Sequence, residues 1–371
     1  MHIHCTNGTP IVDTLDHLPP LPLFVNYRYT RGQDELGIYH VLRLRDRVRR
    51  IDLHLPPLIL HKFLMLMDEP FPMLEHLSLS FTVDKTTTLT LPKTFLAPNL
   101  RHLSLFGIGL PKRLRLLSPA VSLVTLVLRN IRASGYFRPR LLVARLQSLP
   151  QLEELSIGFS IPIPRPSAEG ELLGKQGTPV TLPNLKNLKF QGVSAYLERL
   201  VAQIRAPLLE RLSITLFNQI TFALPFLSHF TNITGLKFPV AEVNFGRDAV
   251  SVITDNNTRQ YNGRFSLHVM CRQLDWQIDC AAQICRALMP ALSGVQCRTT
   301  KLDNFCSGSH GSFLKNLTLP LCSEWQNTSK TALWGFSHDF LGMANFFGPK
   351  NQHLTPDLDS EGLEWALVMS W

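Results

Sequence analysis

A parallel α/β fold of stacked repeats is what this sequence predicts, and three observations predict it. The first is a phrase with apolar residues at its first, fourth and sixth positions, spelled FPMLEHLSL, APNLRHLSL and VSLVTLVL between Phe71 and Leu128. The second is its recurrence, with the leading apolar residue at Val48, Leu74, Leu100, Leu123, Leu152, Leu185, Leu209 and Ile233, at intervals of 23 to 33 residues. The third is composition: 45% hydrophobic with a mean hydropathy of +0.05, typical of a folded chain, and Leu at most of the apolar positions. A short strand with a return of this length cannot bury its apolar face alone and must stack on its neighbours. The expected fold is therefore a leucine-rich-repeat solenoid, an irregular horseshoe with a parallel concave sheet and helices and loops on the convex side.

Residues 1–45 form an extended lead-in or N-terminal cap, because Pro10, Pro19, Pro20 and Pro22 interrupt it and only LPLFVNY reads as a strand. The repeats occupy residues 46–295. In the first return, Leu60, Phe63, Leu64 and Met67 fall at i, i+3, i+4 and i+7, which predicts an amphipathic helix. The second return, DKTTTLTLPKTF, is polar and β-branched and predicts a loop. Leu142, Leu146 and Leu149 predict a fourth-unit helix, and Leu197, Leu200, Val201 and Ile204 another in the best-formed unit. Between them IPIPRPSAEGELLGKQGTPVTLP predicts an exposed loop. Its GELLGKQ is one residue short of a phosphate-binding loop and has Gln176 where a metal-binding hydroxyl is needed. A further unit runs through ALPFLSHF to NITGLKF, FSLHVMC reads as a strand, and DWQIDCAAQICRALM reads as a helix with Ile278, Ala281, Ala282, Cys285, Leu288 and Met289 inward. From residue 296 to 371 the pattern decays into an irregular C-terminal cap or poorly ordered tail.

The net charge of +9 is unevenly laid down. No acidic residue lies between Asp84 and Glu153, whereas Lys85, Lys93, Arg101, Lys112, Arg113, Arg115, Arg129, Arg132, Arg138, Arg140 and Arg145 do. Such a basic flank suits an acidic protein or a polyanion. Nucleic acid is disfavoured, because the aromatic interleaving that stacks bases is missing. No stretch has the length of a membrane-spanning helix, and the first residues lack the cationic and apolar regions of a secretory signal, so the expected location is intracellular, cytoplasmic or nuclear. Seven cysteines without a C-x-x-C pair, and Cys297, Cys306 and His310 without tight spacing, predict reduced thiols and no metal or cofactor.

In this register the leucines point inward and the alternate strand positions line the concave sheet. The expected protein-binding residues are His76 and Ser78, His102 and Ser104, Glu154, Asn187 and Lys189, Arg211 and Ser213, and Lys237, with Thr125, Val127, Ser156 and Gly235 between them. The basic residues Lys112, Arg113, Arg115, Arg129, Arg132, Arg138, Arg140 and Arg145 form a second candidate surface. His76 and His102 stand in register on neighbouring strands, but without a third ligand the pair reads as a hydrogen-bonding rim. No nucleophile, base or carboxylate pair is apparent, so no catalytic residue is expected.

The lead-in CTNGTPIVDTLDHLPPLPLFVNY, the SGYF at Ser134–Phe137, YLERLVAQIRAPLLERLSITLFNQ and QLDWQIDCAAQIC together resemble the F-box and leucine-rich-repeat proteins expanded in mushroom-forming fungi. The likeness spans roughly residues 5–295. It implies a substrate-binding repeat module of a ubiquitin ligase receptor. The F-box that precedes the lead-in in that family has no counterpart here, so a Skp-type adaptor is expected as a partner only if one is encoded upstream of Met1. The Asn that follows the strand phrase in such repeats is replaced by Thr82, Ile108, Ile131, Ser160 and Val193, which predicts an irregular curve. An unknown protein partner is the expectation, with a stand-alone scaffold that binds an acidic protein or polyanion as the alternative.

Overall fold

The computed structural model describes residues 15, 21–28, 36–81, 89–111, 115–162, 179–217, 224–234, 236, 241–245, 248–254, 264–271 and 295–298, with separate positions from 276 to 288. The elements run β1 (Leu23–Arg28), α1 (Leu36–Arg43), β2 (Val48–Leu55), α2 (Pro57–Leu66), β3 (His76–Phe81), β4 (Leu89–Thr90), β5 (His102–Phe106) and β6 (Ile108–Gly109). Then come β7 (Thr125–Ile131), α3 (Pro139–Leu146), β8 (Glu154–Phe159), β9 (Val180–Thr181), β10 (Asn187–Gly192), α4 (Ser194–Val201), β11 (Ile204–Arg205) and β12 (Arg211–Leu216). Last are α5 (Pro225–Ile233), β13 (Ala241–Phe245), β14 (Ala249–Thr254), β15 (Arg264–Met270) and β16 (Val295–Arg298).

The fold is α/β, built on one large, mostly parallel sheet. Twelve strands join it in the order β1-β2-β3-β5-β7-β8-β10-β12-β15-β14-β13-β16. From β1 to β12 each long strand pairs in parallel with the next long strand in the chain. The first seven apolar phrases each supply one of these strands. Their registers agree to the residue: Leu77 faces Leu103, which faces Leu126, then Leu155, Leu188 and Leu212. All six are at most 1% exposed, and burying a Leu side chain is worth about 1.5–3 kcal/mol. Register is fixed by that burial, since a slip of one residue would turn the whole leucine row to the opposite face.

The backbone continues the pairing one residue ahead of the strands. Arg101 N–H donates to Glu75 O at 2.8 Å, Val124 to Arg101 at 2.7 Å, Glu153 to Val124 at 2.8 Å and Lys186 to Glu153 at 2.9 Å. Side-chain ties between units come from asparagines ahead of the phrase: Asn99 Nδ2 donates to Pro72 O at 2.7 Å and Asn184 Nδ2 to Pro150 O at 2.9 Å. After the strand, Ser160 Oγ donates to Ile131 O at 3.1 Å. These bonds link neighbouring turns on both sides of the strands.

The helices cover the leucine side of the sheet. Leu60, Phe63 and Leu64 of α2, Leu142 and Leu146 of α3, and Leu197, Leu200 and Val201 of α4 are all buried, as their spacing predicts. Between β8 and the helices lies an aromatic cluster. Phe159 has Tyr196 at 4.8 Å, Tyr136 at 5.8 Å, Phe137 at 6.2 Å and Phe190 at 6.4 Å between ring centroids. Gly192 makes room for it, because a Cβ there would stand 2.7 Å from Phe190 Cζ and 3.0 Å from Phe159 Cδ2.

Four expectations are corrected. The lead-in is not only extended: LGIYHVLR forms α1, with Ile38 and Leu42 buried one turn apart. The stripe expected to run helically to Ile204 stops at Val201, and Ile204 enters the short pair β11–β9. Ile233, expected to open an eighth strand, closes α5 and is 45% exposed. Pro225 suits the first helical position, and Leu227, Phe230 and Thr231 take the buried face of a 3.6-residue period. The sheet instead continues through β15, parallel to β12, and then through β14 and β13, which run antiparallel to their predecessors. In β14 the burial alternates at every residue, which is the strand period. In the helix expected around residues 275–289, Cys280, Ala281, Ile284 and Leu288 are buried, so Ile284 and Cys280 join the inward set. Residues 299–371, and with them most of the expected C-terminal cap or tail, lie outside the described residues.

Candidate functional site

Alternation along the strands that buries the leucines presents the residues between them on the other face of the sheet. Pairing sorts these residues into three rows crossing the strands. One row runs Phe24, Arg50, His76, His102, Thr125, Glu154, Asn187 and Arg211. The middle row runs Asn26, Asp52, Ser78, Ser104, Val127, Ser156, Lys189, Ser213 and Ser266. The third runs Arg28, His54, Ser80, Phe106 and Arg129 on the first strands, then Gly158, Gln191, Thr215 and His268.

The sequence-predicted ladder from His76 to Ser213 is thereby brought to one face in the expected register. Lys237 and Gly235 lie outside the described residues. Sequence reasoning missed Arg50, Asp52 and His54, which the same register applied to the phrase at Val48 finds. It also missed Ser80 and Phe106 and set Arg129 in the basic flank; all three continue the alternation one residue past the phrase.

Hydrogen bonds knit the face along the rows. His54 Nδ1 and Ser80 Oγ are 2.8 Å apart, His102 Nδ1 and Thr125 Oγ1 3.1 Å, and Arg129 Nε donates to Ser156 Oγ at 3.2 Å. Ser266 Oγ donates to Ser213 Oγ at 2.9 Å. Lys189 Nζ reaches Glu154 Oε1 at 3.0 Å and so neutralises that part of the face. Arg50 lies 3.8 Å from Asp52, a loose pair. Phe106, 37% exposed, is an apolar side chain standing among these polar neighbours.

The His76 and His102 rings are 5.5 Å apart between centroids. Burial lowers both pKa values from the usual 6.5; Arg50, then His102, adds to this at His76 against a smaller opposing pull from Asp52, and Arg101, then Arg50, adds at His102. Both rings are thus neutral at pH 7. Among the described residues no group of three His, Cys, Asp or Glu side chains is placed to hold a metal ion. Because the folded state takes up these protons less readily than the unfolded chain, the pair's contribution to stability falls as pH drops below about 6.5. The double substitution His76→Gln and His102→Gln is expected to flatten that loss between pH 7 and 5, read as the urea midpoint at each pH. A loss as steep as the parent's would mean that the pair does not cause it.

The second candidate surface does not assemble as the sequence suggests. Arg129 is on the sheet's polar face, whereas Arg138, Arg140 and Arg145 belong to α3 and its N-terminal boundary on the opposite side. Arg132 sits over the Phe81 ring at 6.0 Å, and Arg145 Nη1 donates to Ser118 Oγ at 2.9 Å. Arg115 opens a short 3₁₀ turn, Arg115–Leu117. Lys112 and Arg113 lie outside the described residues. No helix among the described residues is long and apolar enough to cross a membrane.

One carboxylate that sequence reasoning passed over is placed with care. Glu198 of α4 is buried, and its two oxygens accept the backbone N–H groups of Phe226 at 2.7 Å and Leu227 at 3.0 Å, in the first turn of α5. Burial raises its pKa to about 7, against the pull of those two donors. Its place on α4, bonded to the start of α5, makes it a fastener between the two helices; no signal in a single sequence marks it. Comparison of the whole chain with protein-family models, with curated proteins and with solved structures finds no match.

Proposed function

We propose that this chain is a protein-binding module: a leucine-rich-repeat solenoid whose concave sheet face holds a partner, of the kind that serves F-box-type ubiquitin ligase receptors as the substrate-binding part. The observation that carries this reading is the polar face itself. Seven consecutive phrases hold one register, so residues spaced by about 25 positions in the chain stand about 4.8 Å apart across the strands. A rigid scaffold that presents variable side chains in rows suits recognition of an extended partner. The reading is non-enzymatic, intracellular, and cytoplasmic or nuclear. A Skp-type adaptor belongs to it only together with an F-box.

Site-specific photo-crosslinking tests the reading. A benzophenone amino acid at Ser104 on the sheet face is expected to label a protein in cells of the source, while the same group at Leu58, 79% exposed on α2, labels none or a different set. Equal labelling from both positions would remove the sheet face as the binding surface.

A further inference from the structure

The strands from β1 to β7 present a polar face whose hydrogen-bonding groups are mostly donors. Arg28, Arg50, His54 and Arg129 are exposed there, with Ser78, Ser80 and Ser104 half-buried between them. Among the described residues the one carboxylate in this part of the face is Asp52, loosely paired with Arg50 at 3.8 Å. Beyond β7, Lys189 and Glu154 satisfy each other at 3.0 Å, while Arg211 stands exposed on β12 and in register with Arg264 on β15. Positive charge is thus left over at both ends of the face, and at the β1–β7 end the exposed Phe106 stands beside Arg129.

From the three exposed arginines of this end and the exposed Phe106 among them we infer that the N-terminal half of the face binds an extended acidic segment of a partner protein, with an apolar residue of that segment resting on Phe106. The inference rests on the protein-binding reading above and names the chemistry of the partner. Arg50 and Arg129 occupy opposite rows three strands apart, which with a strand spacing of about 4.8 Å and a rise of about 3.3 Å per residue separates them by roughly 20 Å. An extended peptide covers that span in about six residues. Two carboxylates at that separation would each meet a guanidinium, which binds carboxylate oxygens through paired N–H donors. The serine hydroxyls between them are short enough to leave the peptide room and can donate to its backbone carbonyls. Arg129 is already held by Ser156 at 3.2 Å, so less side-chain freedom is lost when it takes a carboxylate.

A library of random twelve-residue peptides displayed on phage, selected on the full-length chain, tests this. The expected pool is enriched in Asp and Glu about five to six positions apart with an aromatic or aliphatic residue between them. A synthetic peptide from that pool, followed by fluorescence anisotropy, should weaken about tenfold or more with the double variant Arg50→Glu and Arg129→Glu. Arg140→Glu, on α3, should leave its affinity unchanged. Arg50→Gln with Arg129→Gln serves as the milder pair, and a circular dichroism spectrum like the parent's establishes that either pair folds. A neutral or basic pool, or an acidic peptide indifferent to both pairs, overturns the inference. So does a single-stranded oligonucleotide that competes the peptide off at equal concentration, which would make the face a nucleic-acid site. Crosslinking from Ser104 alongside a non-acidic pool would reject the acidic partner and leave the protein-binding reading standing.

Discussion

Replacing Phe159 by alanine is expected to lower the unfolding free energy by about 3–5 kcal/mol. Phe159 closes β8, is 1% exposed, and stands within 6.4 Å, centroid to centroid, of four other aromatic rings. A leucine in the repeat ladder has neighbours of its own kind, and small shifts of flexible aliphatic chains partly refill the space it leaves. The rings around Phe159 are rigid and come from three directions: Tyr136 and Phe137 ahead of α3, Phe190 on β10 and Tyr196 on α4. They also cannot all close inward, because Phe190 already fills the space that Gly192 leaves open. The cavity should therefore persist, and persistent volume is what makes a truncation costly. Urea unfolding of the Phe159→Ala and Phe159→Leu variants checks this: leucine should recover roughly half of the loss. A loss under about 1 kcal/mol for alanine would show that the cluster repacks and that the helices are not seated on it.

The location of that cluster also shows where the sequence was legible. The seven strands were readable because each phrase carries three apolar residues at strand spacing, and one register satisfies them all; the face opposite follows from alternation alone. Even the interval of 33 residues between Leu152 and Leu185 leaves the pairing of Glu154 with Asn187 undisturbed, since an insertion in the return does not touch the strands. Ile233 was misread because NITGLKF carries the spacing of the phrase, while the helix before it has stronger claims on the same residues: a proline in its first turn and Leu227 and Phe230 on its buried face. Arg129 was assigned to a basic flank because charge was counted along the chain, whereas the strand turns successive residues to opposite faces. Glu198 was illegible for another reason. Its partners are backbone N–H groups 28 and 29 residues away, and a backbone donor has no residue type to betray it.

Those two bonds make Glu198 the second site of large effect. An alanine there leaves the N–H groups of Phe226 and Leu227 without their acceptor at the start of α5, and each unsatisfied buried donor costs about 1–3 kcal/mol. Glu198→Ala is expected to lose about 2–4 kcal/mol and to loosen α5, which packs on α4. The pH dependence separates the two forces at the site. Burial favours the neutral carboxyl and lifts its pKa from the ordinary 4.5 to about 7, while the two donors favour the anion. Since the raised value means that burial prevails, the folded chain binds the proton more tightly than the unfolded chain between about pH 4.5 and 7. Stability from this group is then complete below the unfolded value and is lost as pH rises through 7, by up to about 3 kcal/mol. The histidine pair has the opposite sign over part of that window, so the informative quantity is the difference between parent and Glu198→Gln at each pH. Glutamine cannot ionise and keeps one accepting oxygen, and the parent's advantage over it should shrink from pH 5 to pH 8. An advantage that grows instead would mean that the backbone donors outweigh burial and that Glu198 caps α5 as a full anion.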